Sequence, residues 1–421
     1  MGAFGVSGLA ISAVSGDQTL VAQGFGQTLD AEPFTVGTRC GLFSATKVLA
    51  SLTYARLEEE GSLSLNAPLG SYIEDAPQDW QNVPFFRLLN HTSGITMVVN
   101  QEEFATLAAD PNATNASVYE LVRDKPLDYQ PGEYSRYRQS GYAIGEMVLQ
   151  NRLNTDFATL VDDTIVKPAK MTATFHPASQ ANEQAPVLLS AGGYQTTAAD
   201  MAKLFKAINA GTVIAPQTWK QTLLNEAYLF GDYSLGSVIE YSDDILTVGH
   251  SGGGARANVR YAPDNAVGAM VCTDDQTNNG LAMPLARMLI QEIISGTAPP
   301  LPMLVAVPNY AKLTAAQVIE AVKRAEQEGD RYNLSRIEPF MNEVGYTYLA
   351  QERFENAIKA LTFNVERFPA SANAHDSLGE ALFEAGRYEA ARERYRMVLE
   401  LDSGNEHAAA MLTRIDQARA E

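Results

Sequence analysis

The alternation of apolar and polar residues changes period several times along the chain. Two short runs with strand-like alternation, Ser7–Val14 and Thr19–Phe25, flank Ser15-Gly16-Asp17-Gln18, a tight-turn signal, and predict a hairpin. A third short run near Phe34–Val36 predicts another strand. From Ala45 to Glu60 the period is helical: Val48, Leu49, Leu52 and Ala55 recur at helical spacing, and Gly61 supplies a C-terminal stop. Pro84–Leu89 predicts a short helix before the turn-rich Asn90-His91-Thr92-Ser93-Gly94. A long, partly helical region from about 100 to 230 includes predicted helices at Gly141–Leu153 and Thr197–Asn209. Strands return at Ser234–Tyr241, Ile245–Gly249, Ala257–Tyr261 and Val267–Thr273, and a helix at Ala282–Ile294 closes this part. Strands at both ends with helices between them predict an α+β fold. Its single antiparallel sheet is assembled from the two termini of the domain and flanked by helices.

Ala298-Pro299-Pro300-Leu301-Pro302, with Pro308 after it, predicts a stiff linker over 299–311 between one domain at 1–298 and a second at 312–421. In the second, Val344, Gly345, Phe354, Ala357 and Leu361 recur 34 residues later as Leu378, Gly379, Tyr388, Ala391 and Tyr395. That period, with its Gly, Ala and aromatic positions, resembles the tetratricopeptide repeat and implies an all-α domain with two antiparallel helices per repeat. Pro369 sits where such a repeat ends, and its counterpart Ser403 departs from the pattern. Two repeats are few for independent stability. The module is therefore expected to dock on the first domain or another subunit, serving a peptide or protein partner or self-association.

Composition narrows the picture. With 421 residues, 46% of them hydrophobic, the chain is long enough for two folded domains. A net charge of −19 and the lack of a basic cluster argue against nucleic acid and anionic lipid as partners. The sequence contains no apolar run of membrane-spanning length. Gly5-Val6-Ser7-Gly8-Leu9-Ala10-Ile11 already reads as domain rather than as signal peptide, which leaves localisation unknown. Cys40 and Cys272 are expected as two separate small buried side chains. No two of the five histidines lie within four positions of each other, so a helical zinc motif is absent and no metal or cofactor is implied.

The candidate chemistry begins at Ser44 and Lys47. Three residues apart at the head of a helix, they share a face, and the lysine amine reaches the serine hydroxyl. A serine needs a base to become nucleophilic, and a desolvated lysine with a lowered pKa supplies one. By themselves the two fit equally an ordinary N-cap and a solvated lysine. Two further stretches change the weighing. Gln130-Pro131-Gly132-Glu133-Tyr134-Ser135-Arg136-Tyr137-Arg138-Gln139 is a polar, turn-forming loop that enters a helix. Val248-Gly249-His250-Ser251-Gly252-Gly253-Gly254 ends a strand with glycines that let a substrate approach the strand edge. Gly249-x-Ser251-x-Gly253 also matches a nucleophile elbow, but a strand follows it where the elbow needs a helix.

Ser44-Ala45-Thr46-Lys47, Tyr137-Arg138-Gln139 and His250-Ser251-Gly252, in that order over about residues 5–296, resemble the three motifs of the serine β-lactamase and penicillin-binding-protein-like family. The best match is its branch of class C β-lactamases, D-alanyl-D-alanine carboxypeptidases, D-aminopeptidases and family VIII esterases. Leu88-Leu89-Asn90-His91-Thr92-Ser93-Gly94-Ile95, Pro131-Gly132 and Ala191-Gly192-Gly193 support it. The resemblance implies a helical lobe beside the sheet and an acyl-enzyme on Ser44. Lys47 and Tyr137 share the acid and base work, Tyr137 donates to the leaving group, and a lysine charge favours its phenolate. The amides of Ser44 and Gly253 form the oxyanion hole. Gln139, His250, Ser251 and Gly252 line the substrate site, and His91 is a structural loop residue. A periplasmic or secreted location is implied too.

Three departures qualify the resemblance. Gln139 replaces an asparagine, His250 replaces the lysine of most β-lactamases, and the chain begins at its first strand, without the helix usual there. Arg256 either supplies the missing charge or is a solvated side chain, the second being preferred. The expected function is a serine hydrolase of an ester or amide, of esterase, D-amino-acid peptidase or amidase type, on a small or peptidic substrate. The alternatives are a true β-lactamase and a non-catalytic scaffold acting through its repeats.

Overall fold

A computed structural model describes residues 4, 6–97, 107, 110, 112–179, 187–242, 244–273 and 280–418. The chain folds as two units, Met1–Ala298 and Pro299–Glu421.

The first unit is built on an antiparallel sheet. Strands β1 (Gly8–Ser15) and β2 (Gln18–Gly26) form the N-terminal hairpin. The short strands β3 (Cys40–Gly41) and β4 (Gln195–Thr196) pair apart from it. Then come β5 (Val238–Ser242), β6 (Ile245–Gly252), β7 (Ala257–Ala262) and β8 (Val267–Thr273). The large sheet runs β2-β1-β8-β7-β6-β5, so the first strand pairs with the last, Leu9 opposite Thr273 through Ser15 opposite Val267. This is the sheet expected from the two ends of the domain.

Alternation sorts the strand residues onto two covered faces. Ala257, Val259 and Tyr261 of β7 join Met270 and Cys272 of β8 in the main core, with Leu49, Leu52 and Phe205. The opposite side of the same strands, Ala262, Val267, Ala269 and Val271, packs against Ala282, Ala286 and Ile290 of the helix Ala282–Ser295. Every residue of β7 and β8 is buried, whereas β2 is an exposed edge. The helices Thr46–Glu59 and Ser140–Leu153 lie deep in the main core and carry the first two motifs at their N-terminal ends.

Three expectations change. The run at Phe34–Val36 is not a strand: Pro33 makes a single bridge to Gln27, and the Thr35 N–H turns back to Thr38 Oγ1 at 2.8 Å. The strand expected from Ser234 begins at Val238, because Ser234 N–H donates to the Ser237 carbonyl in a turn with Gly236 at φ 90°. Cys40 and Cys272 form a disulfide, with Cα atoms 6.2 Å apart, instead of lying separately. β3 brings Cys40 to the end of β8, a juxtaposition that the fold creates across 232 residues of sequence.

The second unit has its own core. Its helices are Met303–Ala306, Ala315–Gln327, Ile337–Ala350, Phe354–Arg367, Ala372–Glu384, Tyr388–Leu401 and Glu406–Ala418. The 34-residue pattern has a contact beneath it. A Cβ on Gly345 would fall 2.5 Å from Leu361, and one on Gly379 would fall 3.1 Å from the ring of Tyr395, the residue equivalent to Leu361. The stretch 299–311 packs into this unit: Met303 and Val307 are buried in its core, and Leu301 exchanges backbone hydrogen bonds with Arg331 and Asn333.

Candidate active site

Ser44 lies in a single 3₁₀ turn, Phe43–Ala45, that runs directly into the helix Thr46–Glu59. Phe43 holds φ 49°, a left-handed conformation that costs a non-glycine residue about 1–3 kcal/mol and persists only where the surroundings enforce it. They do. Leu42 N–H donates to the Tyr194 carbonyl at 2.8 Å, and Tyr194 N–H donates to Thr46 Oγ1 at 3.1 Å. The end of β6 presses on the same turn: a Cβ on Gly252 would fall 2.0 Å from the Leu42 carbonyl oxygen and 2.9 Å from the Ala45 nitrogen. Gly253 follows at φ 58°, against the Phe43 ring. The amides of Ser44 and Gly253, the expected oxyanion donors, therefore belong to two segments in contact. Pairing with β5 stops at Val238–Gly249, so His250–Gly252 run on past that strand.

Lys47, one turn after Ser44, is wholly buried. Its Nζ donates to the Ala191 carbonyl at 2.5 Å and to Gln139 Oε1 at 3.0 Å, and lies 4.9 Å and 4.8 Å from the ring centres of Tyr137 and Tyr142. Burial lowers its pKa from 10.5 to about 7, opposed by the negative charge of Glu146. Near neutrality a large share of Lys47 is the free amine. Two N–H bonds are then occupied and the lone pair is left to accept a proton.

Tyr137 stands in the loop before the helix Ser140–Leu153, its ring 46% exposed. The side chains of Ser44 and Gln139 are the polar neighbours of its hydroxyl. Gln139 thus spans the lysine and the tyrosine. Desolvation of the hydroxyl raises the phenol above its ordinary value of 10, while those two polar neighbours act the other way. The expected phenolate is corrected here. Burial holds its pKa above the ordinary phenol value, so Tyr137 rests as a phenol near neutral pH.

His91, expected only as a loop residue, packs on this pair. Its ring centre lies 4.5 Å from that of Tyr137, and its backbone sits at φ 63°. Arg138 N–H donates to Nδ1 at 3.2 Å, which places the proton on Nε2, 3.2 Å from the Tyr233 hydroxyl. Tyr142 is a polar neighbour of Tyr233, and its own hydroxyl donates to the Leu89 carbonyl at 2.9 Å. Burial first, then the charges of Lys47 and His250, hold His91 neutral, well below 6.5. The Asn90–Gly94 turn was visible in the sequence, but nothing there linked His91 to Tyr137 or Tyr233.

His250 completes the enclosure, its ring 6.0 Å from that of Tyr137. Nδ1 donates to the Ser251 carbonyl at 2.5 Å, so Nε2 is bare, and burial lowers its pKa to about 4. The third motif is therefore uncharged at neutral pH. Arg256 is not simply solvated. Its guanidinium lies 4.0 Å over the Phe43 ring and Nε donates to the Gly253 carbonyl at 2.7 Å, bracing the glycine turn.

The Beta-lactamase family model matches residues 1–291, and a Tetratricopeptide repeat model matches 345–406. Protein flp of Staphylococcus aureus (strain NCTC 8325 / PS 47) is 24% identical over 175 residues, which cover 40% of this chain and 34% of that protein. A putative D-alanyl-D-alanine carboxypeptidase of Escherichia coli O157:H7 is 26% identical over 163 residues, 36% of this chain and 38% of that one. The chain spans roughly a third of the length of these curated relatives. Among solved structures, the octameric penicillin-binding protein homologue from Pyrococcus abyssi superposes with a TM-score of 0.59 at 21% identity, over 70% of this chain and 75% of that one. D-amino acid amidase from Ochrobactrum anthropi SV3, complexed with L-phenylalanine, gives 0.57 at 18% identity, over 70% and 95%. At such identities the likeness is one of fold.

Proposed function

The chain belongs to the beta-lactamase family, and from that premise we propose that it is a serine hydrolase that forms an acyl-enzyme on Ser44 and cleaves an ester or amide of a small or peptidic substrate. One observation carries the reading: Ser44 and the Tyr137 phenol are polar neighbours beside a buried lysine whose pKa is lowered to about 7. Ser44 Oγ attacks the carbonyl carbon as its proton passes, through the Tyr137 hydroxyl, to Lys47. The oxyanion forms between the amides of Ser44 and Gly253. Tyr137 then gives a proton to the departing oxygen or nitrogen and is recharged from Lys47. Water repeats the sequence on the acyl-enzyme and releases the acid.

The substrate side favours an uncharged group next to the third motif. His250 is neutral, which disfavours substrates held there by a carboxylate and favours esters and amino-acid amides. The D-amino acid amidase among the structural neighbours agrees with this direction. The disulfide supports a periplasmic or extracellular location. The helical repeats serve a peptide or protein partner or self-association. Intact-mass measurement of Ser44 adducts across esters, D-aminoacyl amides and β-lactams tests the proposal. Adducts from esters and amides that vanish in Ser44→Ala are expected, and failure of every acyl donor and fluorophosphonate to modify Ser44 would overturn it.

A further inference from the structure

Glu146 is a buried acid for which the reaction above has no use. It lies two turns into the helix whose start follows Gln139, is 2% exposed, and forms no ion pair among the described residues. Leaving an anion in such a place is costly unless donors surround it. Four do. Oε1 accepts from Ser190 N–H at 2.6 Å and from the Ser190 hydroxyl; Oε2 accepts from Asn115 Nδ2 at 2.9 Å and Leu189 N–H at 3.2 Å. Asn115 in turn accepts the Leu188 N–H at 3.0 Å. Two side chains thus take three consecutive backbone amides, with Leu188 held at φ 62°. The next residue is Ala191, whose carbonyl receives Lys47 Nζ.

We propose that Glu146 is a positioning residue for Lys47. With Asn115 it fixes the Leu188–Ala191 backbone that presents a carbonyl to Nζ, and its negative charge favours the ammonium that forms when Ser44 loses its proton. The inference rests on the hydrolase reading for its catalytic meaning but not for its physical content. Lys47 feels Glu146 as its opposing charge. The other titratable groups around Lys47 are Tyr137, Tyr142, His91 and His250; those around Glu146 are Tyr54 and Tyr194. Burial keeps these tyrosines protonated and these histidines neutral near pH 7, which leaves Glu146, its own pKa raised by burial to about 7, as the acid whose charge Lys47 meets.

The test is a titration of the full chain labelled with ¹³C at lysine Cε, reading the Lys47 resonance identified by its loss in Lys47→Ala. In Glu146→Gln the Lys47 midpoint is expected to fall by about one pH unit. The acid limb of Ser44 labelling by a fluorophosphonate is expected to fall with it, whereas a purely structural lesion would lower the rate at every pH without moving the limb. Ser190→Ala, which removes one donor from the carboxylate, should shift the midpoint the same way by less. An unmoved Lys47 midpoint in folded Glu146→Gln, or in Ser190→Ala should the former not fold, overturns the proposal. If wild-type Ser44 is never labelled, the hydrolase reading falls, and the NMR midpoint still decides the role of Glu146.

Discussion

Lys47 donates to the carbonyl end of the Gln139 amide at 3.0 Å. One methylene longer than the asparagine usual at this place, the glutamine side chain meets the lysine beside the Tyr137 hydroxyl. The side chain is therefore part of the proton-transfer assembly. Gln139→Asn would withdraw it from that contact. The expected result is an approximately tenfold slower acylation of Ser44, the equivalent of one lost hydrogen bond to a charged group. Single-turnover labelling with a fluorophosphonate measures it.

The lowered pKa of Lys47 predicts a pH profile. Ser44 acylation should rise with pH through about 7, the value to which burial brings the amine, because only the free amine accepts the proton. Lys47→Ala should lose the limb and roughly 10²–10⁴ of the rate. A profile with the same midpoint in Lys47→Ala would place the base elsewhere.

His250 makes a stability prediction of definite sign. Its folded pKa, about 4, lies below the unfolded value of 6.5, so between these limits the unfolded chain binds the extra proton. Stability attributable to His250 should therefore grow as pH rises from about 4 to 6.5, at up to about 1.4 kcal/mol per pH unit. Glu146, raised from 4.5 to about 7, contributes the opposite slope in nearly the same window. Urea denaturation of wild type and His250→Asn at pH 4.5 and 6.5 isolates the histidine: the difference between the proteins should change with pH.

Tyr233→Phe should destabilise the first unit by about 1–3 kcal/mol, since the buried His91 Nε2–H loses its acceptor. Tyr142 keeps the Leu89 carbonyl, so the damage should stay centred on His91. A thermal melt of the variant checks the first statement, and the His91 ring proton shifts check the second.

Breaking the Cys40–Cys272 bond, by reductant or by Cys40→Ala with Cys272→Ala, should cost about 2–5 kcal/mol. Chemical denaturation with and without reductant reads this directly. The double variant should be insensitive to reductant.

What the sequence made legible follows from how local each signal is. Ser44 and Lys47 are one turn apart, and Tyr137 and His250 stand in recognisable strings, so the parts of the site could be named without a fold. The hairpin and the sheet closing between the two ends of the first unit were equally readable, from alternation alone. The disulfide, the seat of His91 on Tyr137 and the hold of Glu146 on Ser190 join residues from distant segments whose approach no periodicity encodes. The strand expected at Phe34–Val36 failed for a local reason that the hydrophobic pattern ignored: Pro33 has no N–H to give and Thr35 turns the chain.

The pairing of β1 with β8 also sets a schedule for biosynthesis. Residues 8–15 are made well before their partner strand at 267–273, which comes more than two hundred residues later, so the sheet cannot close until nearly all of the first unit has been made. Gly252 and Gly253, which press the Ser44 turn into shape, arrive equally late. Until then the serine is an ordinary alcohol on a nascent chain. Reactivity is acquired only once the sheet has closed and the glycines of β6 press on that turn.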